Sequence, residues 1–88
     1  MPPLAPYGFH VVYRQPTSVV VQWDTVPGAI GYAVLDAYTG HEVTRTGPQA
    51  NQVALGNLRP SSPYAVQLVA LGPDGPSALT PPLRFSTT

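Results

Sequence analysis

The sequence predicts an all-β fold, a seven-stranded antiparallel β-sandwich with Greek-key connections. The 88 residues include 12 prolines and eight glycines, which separate short apolar runs at intervals that suit strands and turns. Within these runs apolar residues alternate with others, and no window shows a sustained helical period with caps. Pro60 and Pro63 stiffen a polar corner between two alternating runs, and Tyr64 opens the second run. This arrangement is a tyrosine corner, a signature of Greek-key sandwiches.

The alternation predicts seven strands, in chain order at residues 8–13, 18–24, 30–38, 41–45, 52–55, 64–71 and 79–87. Residues 1–6 are predicted to form a stiff, extended, proline-rich linker. Residues 7–88 then form one domain, which is long enough to bury roughly 60–65% of its unfolded surface. Pro81 and Pro82 cannot donate to a ladder, so the last strand is expected to begin at a sheet edge or a break in pairing.

Four residues are predicted to form the structural core. Trp23 shares its inward parity with Val19 and Val21, so we interpret it as a core residue and not as a ligand-stacking aromatic. Tyr32 and Tyr64 face inward by the same parity. Leu58 is expected to plug the end of the core, and the Tyr64 hydroxyl is expected to bond back across the corner.

Together these segments resemble a fibronectin type III domain. Residues 17–24, with their tryptophan, are similar to the second strand of that family, and residues 29–34 are similar to the start of its third. Residues 75–77 and 85–88 resemble its last loop and last strand. The resemblance covers essentially the whole chain and implies an immunoglobulin-like sandwich. It also implies a non-catalytic structural and protein-interaction module in a multidomain, extracellular matrix or cell-surface protein, with neighbouring domains in the same chain.

Composition argues against several other functions. The formal net charge is zero, lysine is absent and the four arginines are scattered, whereas a nucleic-acid or anionic-membrane surface needs clustered basic residues. No apolar run is long enough to insert into a membrane, and no cysteine is present. His10 and His41 lie on different predicted elements without a third ligand, so we predict no metal site and no cofactor. No carboxylate pair or serine elbow predicts an enzyme.

The outward residues of the third and sixth strands predict a contact surface. These two strands are neighbours in the sheet of the family that the chain resembles. Their outward residues are Ala33, Leu35, Ala37, Gln67, Val69 and Leu71. They are small or apolar and carry no charge, and such a patch often marks a contact with a protein partner or a second copy. The alternative is an ordinary surface that a flanking strand or a neighbouring domain covers in part.

Two alternative functions remain open. The first is a ligand-binding module of a receptor, or an engineered binder scaffold. It would use three loops near residues 25–28, 48–51 and 72–76, which are named BC, DE and FG in the family that the chain resembles. These loops lack the tyrosine or tryptophan anchors that usually carry binding energy. The last loop keeps Asp74 but lacks the arginine of an Arg-Gly-Asp motif. The second is a spacer in a secreted polysaccharide-degrading enzyme.

Overall fold

The computed structural model describes residues 5–88, and within them the chain forms eight strands and no helix. The strands are β1 (His10–Arg14), β2 (Val19–Gln22), β3 (Gly31–Asp36), β4 (Glu42–Thr46), β5 (Gln52–Leu55), β6 (Pro63–Gly72), β7 (Gly75–Pro76) and β8 (Leu83–Ser86). They make two antiparallel sheets. One sheet has the order β1-β2-β5, and the other has the order β4-β3-β6, with β7 and β8 both paired to the far edge of β6. The predicted all-β sandwich is confirmed.

The core lies between the two sheets and is built from inward residues of strands in both of them. Its buried members are Val19, Val21, Trp23, Tyr32, Val34, Leu55, Val66, Leu68, Ala70 and Phe85. Burying an aliphatic or aromatic side chain of this size contributes about 1.5–3 kcal/mol. Trp23 lies among other rings, with its centroid 5.3 Å from that of Tyr32 and 6.4 Å from that of Phe9. The core therefore links the two sheets through aromatic contacts.

The tyrosine corner forms as expected. The backbone N–H of Arg59 donates to the Tyr64 hydroxyl at 2.8 Å, which closes the corner before β6. The Tyr64 ring is half-buried and stacks on Phe85 at a centroid distance of 5.8 Å. Leu58 is also half-buried and packs against the core, with its N–H bonded to Thr17 O at 2.9 Å. Both residues thus lie at the border of the core and not at its centre.

The third strand is shorter than predicted, since it ends at Asp36 and not at residue 38. The Asp36 carboxylate accepts the N–H groups of Tyr38 at 2.7 Å and Thr39 at 3.3 Å. Gly40 donates to Asp36 O at 2.8 Å and adopts a φ of 77°, which favours glycine. An aspartate that bonds the backbone two residues later starts a turn, and this local bonding replaces the ladder.

The last strand, predicted at residues 79–87, is shorter than expected, since β8 covers only Leu83–Ser86. Residues 77–82 separate it from β7, a short strand that the alternation did not predict. The expected break at Pro81 and Pro82 is therefore present. The intervening chain nevertheless stays on β6 through two hydroxyl groups. Ser77 donates its N–H to Ala70 O at 2.8 Å, and its Oγ accepts the Ala70 N–H at 2.9 Å. Thr80 bonds both backbone groups of Leu68 in the same way, at 3.0 and 2.9 Å. We call these two residues the hydroxyl clamp.

The predicted linker lies partly outside the described residues, which begin at residue 5. Pro6, its last residue, is buried against the domain. The division of the chain into a linker at residues 1–6 and a domain at residues 7–88 stays a prediction.

Candidate functional site

The six predicted contact residues lie along two neighbouring strands. In the register of β3 and β6, Ala33 pairs with Val69, Leu35 with Gln67, and Gly31 with Leu71. Directly opposed residues of an antiparallel pair point to the same side of the sheet. Ala37 follows β3 and donates its N–H to Ala65 O at 3.0 Å, which keeps it beside β6. We call Ala33, Leu35, Ala37, Gln67, Val69 and Leu71 the β3/β6 face.

Exposure within the β3/β6 face is uneven. Ala33 is only 2% exposed and Val69 only 5%, whereas the other four residues are half-buried. Gly31 adds no side chain at this end, because a Cβ there would lie 2.8 Å from Thr46 O. The middle of the face is therefore buried, and the area offered to a partner comes mainly from four residues, Leu35, Ala37, Gln67 and Leu71.

The strands on either side of the β3/β6 face carry charged residues. Register places Arg45 opposite Ala33, Glu42 opposite Leu35 and, on β8, Arg84 opposite Ala65. The Arg45 Nη2 lies 2.6 Å from Glu42 Oε1, and this hydrogen bond, followed by the carboxylate charge, raises the pKa of Arg45. The pair is exposed to solvent and contributes little to stability. Charged side chains thus bound an uncharged strip two strands wide.

The three loops of the ligand-binding alternative meet at one end of the sandwich. The backbone N–H of Trp23 donates to Asn51 O at 2.9 Å, and the backbone N–H of Ile30 donates to Leu71 O at 2.7 Å. The loops at residues 25–28, 48–51 and 72–76 are therefore adjacent. The Tyr32 hydroxyl accepts the Val26 N–H at 2.6 Å and holds the first loop. Sequence reasoning assigned the Tyr32 ring to the core but missed this bond, because its partner is set by loop geometry.

Within residues 5–88 no three histidine, aspartate, glutamate or cysteine side chains are placed to hold a metal ion. The Asp36 carboxylate is engaged by its own turn. No helix among the same residues has the length and apolarity needed to cross a bilayer.

A groove that sequence reasoning missed lies between the chain before β1 and the chain before β8. Its volume is about 310 Å³, and it is lined by Pro6, Tyr7, Gly8, Phe9, Thr80, Pro81, Pro82 and Leu83. We call it the proline groove. Both lining segments are visible in the sequence as aromatic and proline clusters. Their proximity depends on how the two sheets pack, so alternation along either strand could not reveal it.

The fold and these surfaces can be compared with those of known proteins. The family model for the fibronectin type III domain matches residues 4–86. The chain belongs to this family. Fibronectin type III domains are modules of multidomain proteins and are generally non-catalytic.

Solved structures of similar fold include both isolated domains and parts of longer chains. A crystal structure of FN3tt is 22% identical over 99% of this chain and 96% of its own, with a TM-score of 0.86. A structure described as a myokine is 26% identical over 97% of each chain, with a TM-score of 0.81. The FN1-FN3 domains of chicken CNTN1 are 19% identical over 93% of this chain and 31% of theirs, with a TM-score of 0.79.

The fold also occurs within an enzyme. A family 28 exopolygalacturonase from Yersinia enterocolitica is 17% identical over 96% of this chain but only 20% of its own, with a TM-score of 0.80. At this identity the likeness concerns the fold alone. The matched part is a small fraction of that enzyme.

Proposed function

We propose that this fibronectin type III domain is a non-catalytic structural and protein-interaction module of a multidomain, extracellular or cell-surface protein. It spaces neighbouring domains and offers the β3/β6 face to a protein partner or to a second copy of itself. The observation that carries the proposal is the uncharged strip formed by paired residues of β3 and β6. Half-buried apolar residues arranged across two strands can be covered by a flat partner surface.

The charged residues beside the strip give such a contact an orientation. Glu42 and Arg45 lie on the β4 side, and Arg84 lies on the β8 side. An apolar centre with charges at its border resembles the anatomy of transient interfaces, where the border sets specificity and association rate more than affinity. A partner would place its apolar residues over Leu35 and Leu71 and its own charges at the two borders.

The extracellular assignment is supported by similar proteins and not by a motif in this chain. One similar structure is described as a myokine, and another comprises domains of chicken CNTN1. Domains of this family are common in extracellular and cell-surface proteins. The absence of cysteine is compatible with an extracellular or an intracellular location, since a sandwich of this size can be stabilised by its core alone.

A second candidate function is that of a spacer in a secreted polysaccharide-degrading enzyme. The likeness to part of the exopolygalacturonase favours it. Both candidates require a rigid module between neighbours, and they differ in whether the β3/β6 face has a protein partner. The loop-based alternative is weaker, because residues 25–28, 48–51 and 72–76 contain no tyrosine or tryptophan to act as an anchor.

Sedimentation velocity over a wide concentration range tests the contact surface. We expect the unaltered domain to associate with increasing concentration and Leu35→Glu to remain a monomer, because the carboxylate would be desolvated in the interface. Leu79→Glu is the matched control, since Leu79 is 47% exposed and lies outside the β3/β6 face. Val69 is less suitable for this test because it is 5% exposed, and a charge there would also disturb the fold.

The outcomes of this experiment separate a contact role of the β3/β6 face from a purely spacing role. If Leu35→Glu associates like the unaltered domain, or if Leu79→Glu loses association equally, the β3/β6 face is not the contact. If the unaltered domain is a monomer throughout, self-association is excluded and the spacer role is favoured. Circular dichroism of each variant establishes that the sandwich is intact.

A further inference from the structure

The proline groove lies between the chain before β1 and the chain before β8, and its wall residue Thr80 bonds Gln67 of the β3/β6 face. One wall is formed by residues 6–9 and the other by residues 80–83. Tyr7 is 72% exposed at this surface. Among the described residues that line the groove, none is charged. Its volume of about 310 Å³ is at the lower end of the range of ligand pockets.

Both walls are held in place by the domain itself. On the first wall, Tyr7 O accepts the Asp24 N–H at 2.9 Å, and the Phe9 ring meets Trp23 edge to face at a centroid distance of 6.4 Å. On the second wall, Thr80 is fixed on β6 by the hydroxyl clamp, and its O also accepts Gln67 Nε2 at 3.0 Å. A site with fixed walls loses little conformational entropy when it is occupied.

The second wall cannot pair with an incoming β-strand. Pro81 and Pro82 have no N–H group, so only acceptors are available there, and a strand ladder needs both donors and acceptors. An occupant must therefore bind without a continuous backbone ladder. A polyproline II segment meets this condition, because it has no internal hydrogen bonds and presents a preformed apolar ridge.

The composition of the groove agrees with such an occupant. Proline-rich segments are recognised in grooves lined by aromatic rings, and Tyr7 and Phe9 provide two rings on one wall. The remaining lining is uncharged and rich in proline, since Pro6, Pro81 and Pro82 form part of it, which suits an uncharged apolar occupant. We propose that the proline groove binds an uncharged, proline-rich extended segment of a partner protein.

Titration of the ¹⁵N-labelled domain with a capped decaproline peptide tests this proposal. We expect saturable shifts of the amide signals of Tyr7, Gly8, Phe9, Thr80 and Leu83, with a dissociation constant of about 0.1–1 mM. A capped glycine–serine peptide of equal length should leave these signals unchanged. Tyr7→Ala should weaken binding at least about fivefold, because it removes the exposed ring.

Tyr38→Ala is the control for loss of a tyrosine, because Tyr38 is 73% exposed on the turn after β3. It should bind decaproline as the unaltered domain does. The proposal is overturned if no saturable shift occurs, if the shifts centre on the β3/β6 face or the loops, or if the glycine–serine peptide gives the same shifts. Equal weakening by both variants would also overturn it. None of these results depends on whether the domain self-associates.

Discussion

Trp23 combines two features with opposite effects on stability. Its side chain is 1% exposed and packs against Tyr32 and Phe9, which stabilises the sandwich through burial and aromatic contact. Its Nε1, however, is buried without a hydrogen-bond partner among the described residues, and an unpaired buried donor costs about 1–3 kcal/mol. The volume of the ring is therefore the reason for a tryptophan at this position, and its polar atom is a liability.

We expect Trp23→Ala to lower the free energy of unfolding by about 3–5 kcal/mol, which is most of the stability of a domain of this size. Trp23→Phe should cost less than half as much, because it keeps much of the apolar volume and removes the unpaired donor. Urea unfolding followed by far-ultraviolet circular dichroism measures both variants. Equal losses in the two variants would contradict this account, because the loss would then follow the indole nitrogen that both variants remove and not the volume of the ring.

Residue roles were predictable where they depend on parity along a strand, as for Trp23. They were not predictable where they depend on the path of a loop. The Tyr32 hydroxyl accepts the Val26 N–H, and nothing in the alternation around Tyr32 specifies that partner. Alternation predicts Ala33 and Val69 on the outer side of the sheet, and register pairs them, but it gives no sign that both are buried.

At the scale of elements, β6 is the strand on which the larger sheet depends. One of its edges pairs with β3 over six residue pairs. Its other edge is covered in turn by β8, by the hydroxyl clamp and by β7. The clamp lets the chain carry Pro81 and Pro82 while Leu68 and Ala70 keep partners for their buried N–H groups. Without the two hydroxyl oxygens, these donors would be unpaired.

We expect Thr80→Val to lower the free energy of unfolding by about 1–3 kcal/mol, because the shape is preserved while the acceptor for the Leu68 N–H is removed. Amide hydrogen exchange at Leu68 should accelerate, whereas exchange at Ala70, which Ser77 serves, should change less. Thr80→Ser retains the Oγ and is the control for this acceptor. The clamp is refuted if Thr80→Ser and Thr80→Val have the same effect on exchange at Leu68.

At the scale of the whole molecule, the balance of charge affects how association is interpreted. The chain has a formal net charge of zero at pH 7 and a pI of about 6.7. Proteins near their pI associate non-specifically because long-range repulsion is weak. Association measured at neutral pH therefore combines specific contact through the β3/β6 face with non-specific association, which weak charge repulsion between molecules does not prevent.

Lowering the pH separates these two origins. At about pH 5.5 the chain carries net positive charge, which weakens non-specific association. We expect association through the β3/β6 face to persist there, since the strip itself contains no titratable group. Sedimentation velocity at both pH values measures this, with Leu79→Glu as the control that changes charge outside the face. Loss of association at the lower pH would show that it was non-specific at pH 7.

The sequence by itself determined the class of fold, the family resemblance, most strand positions and the tyrosine corner. Each depends on alternation, on prolines and glycines at turns, or on contacts between residues close in the chain. Only the tertiary structure decided which surfaces are available. The charges beside the β3/β6 face, the burial of Ala33 and the hydroxyl clamp depend on which segment lies beside which strand, and the proline groove joins residues 6–9 to residues 80–83. Side-chain period along one strand carries no information about the strand packed beside it, so these features appear only when the sheets are assembled.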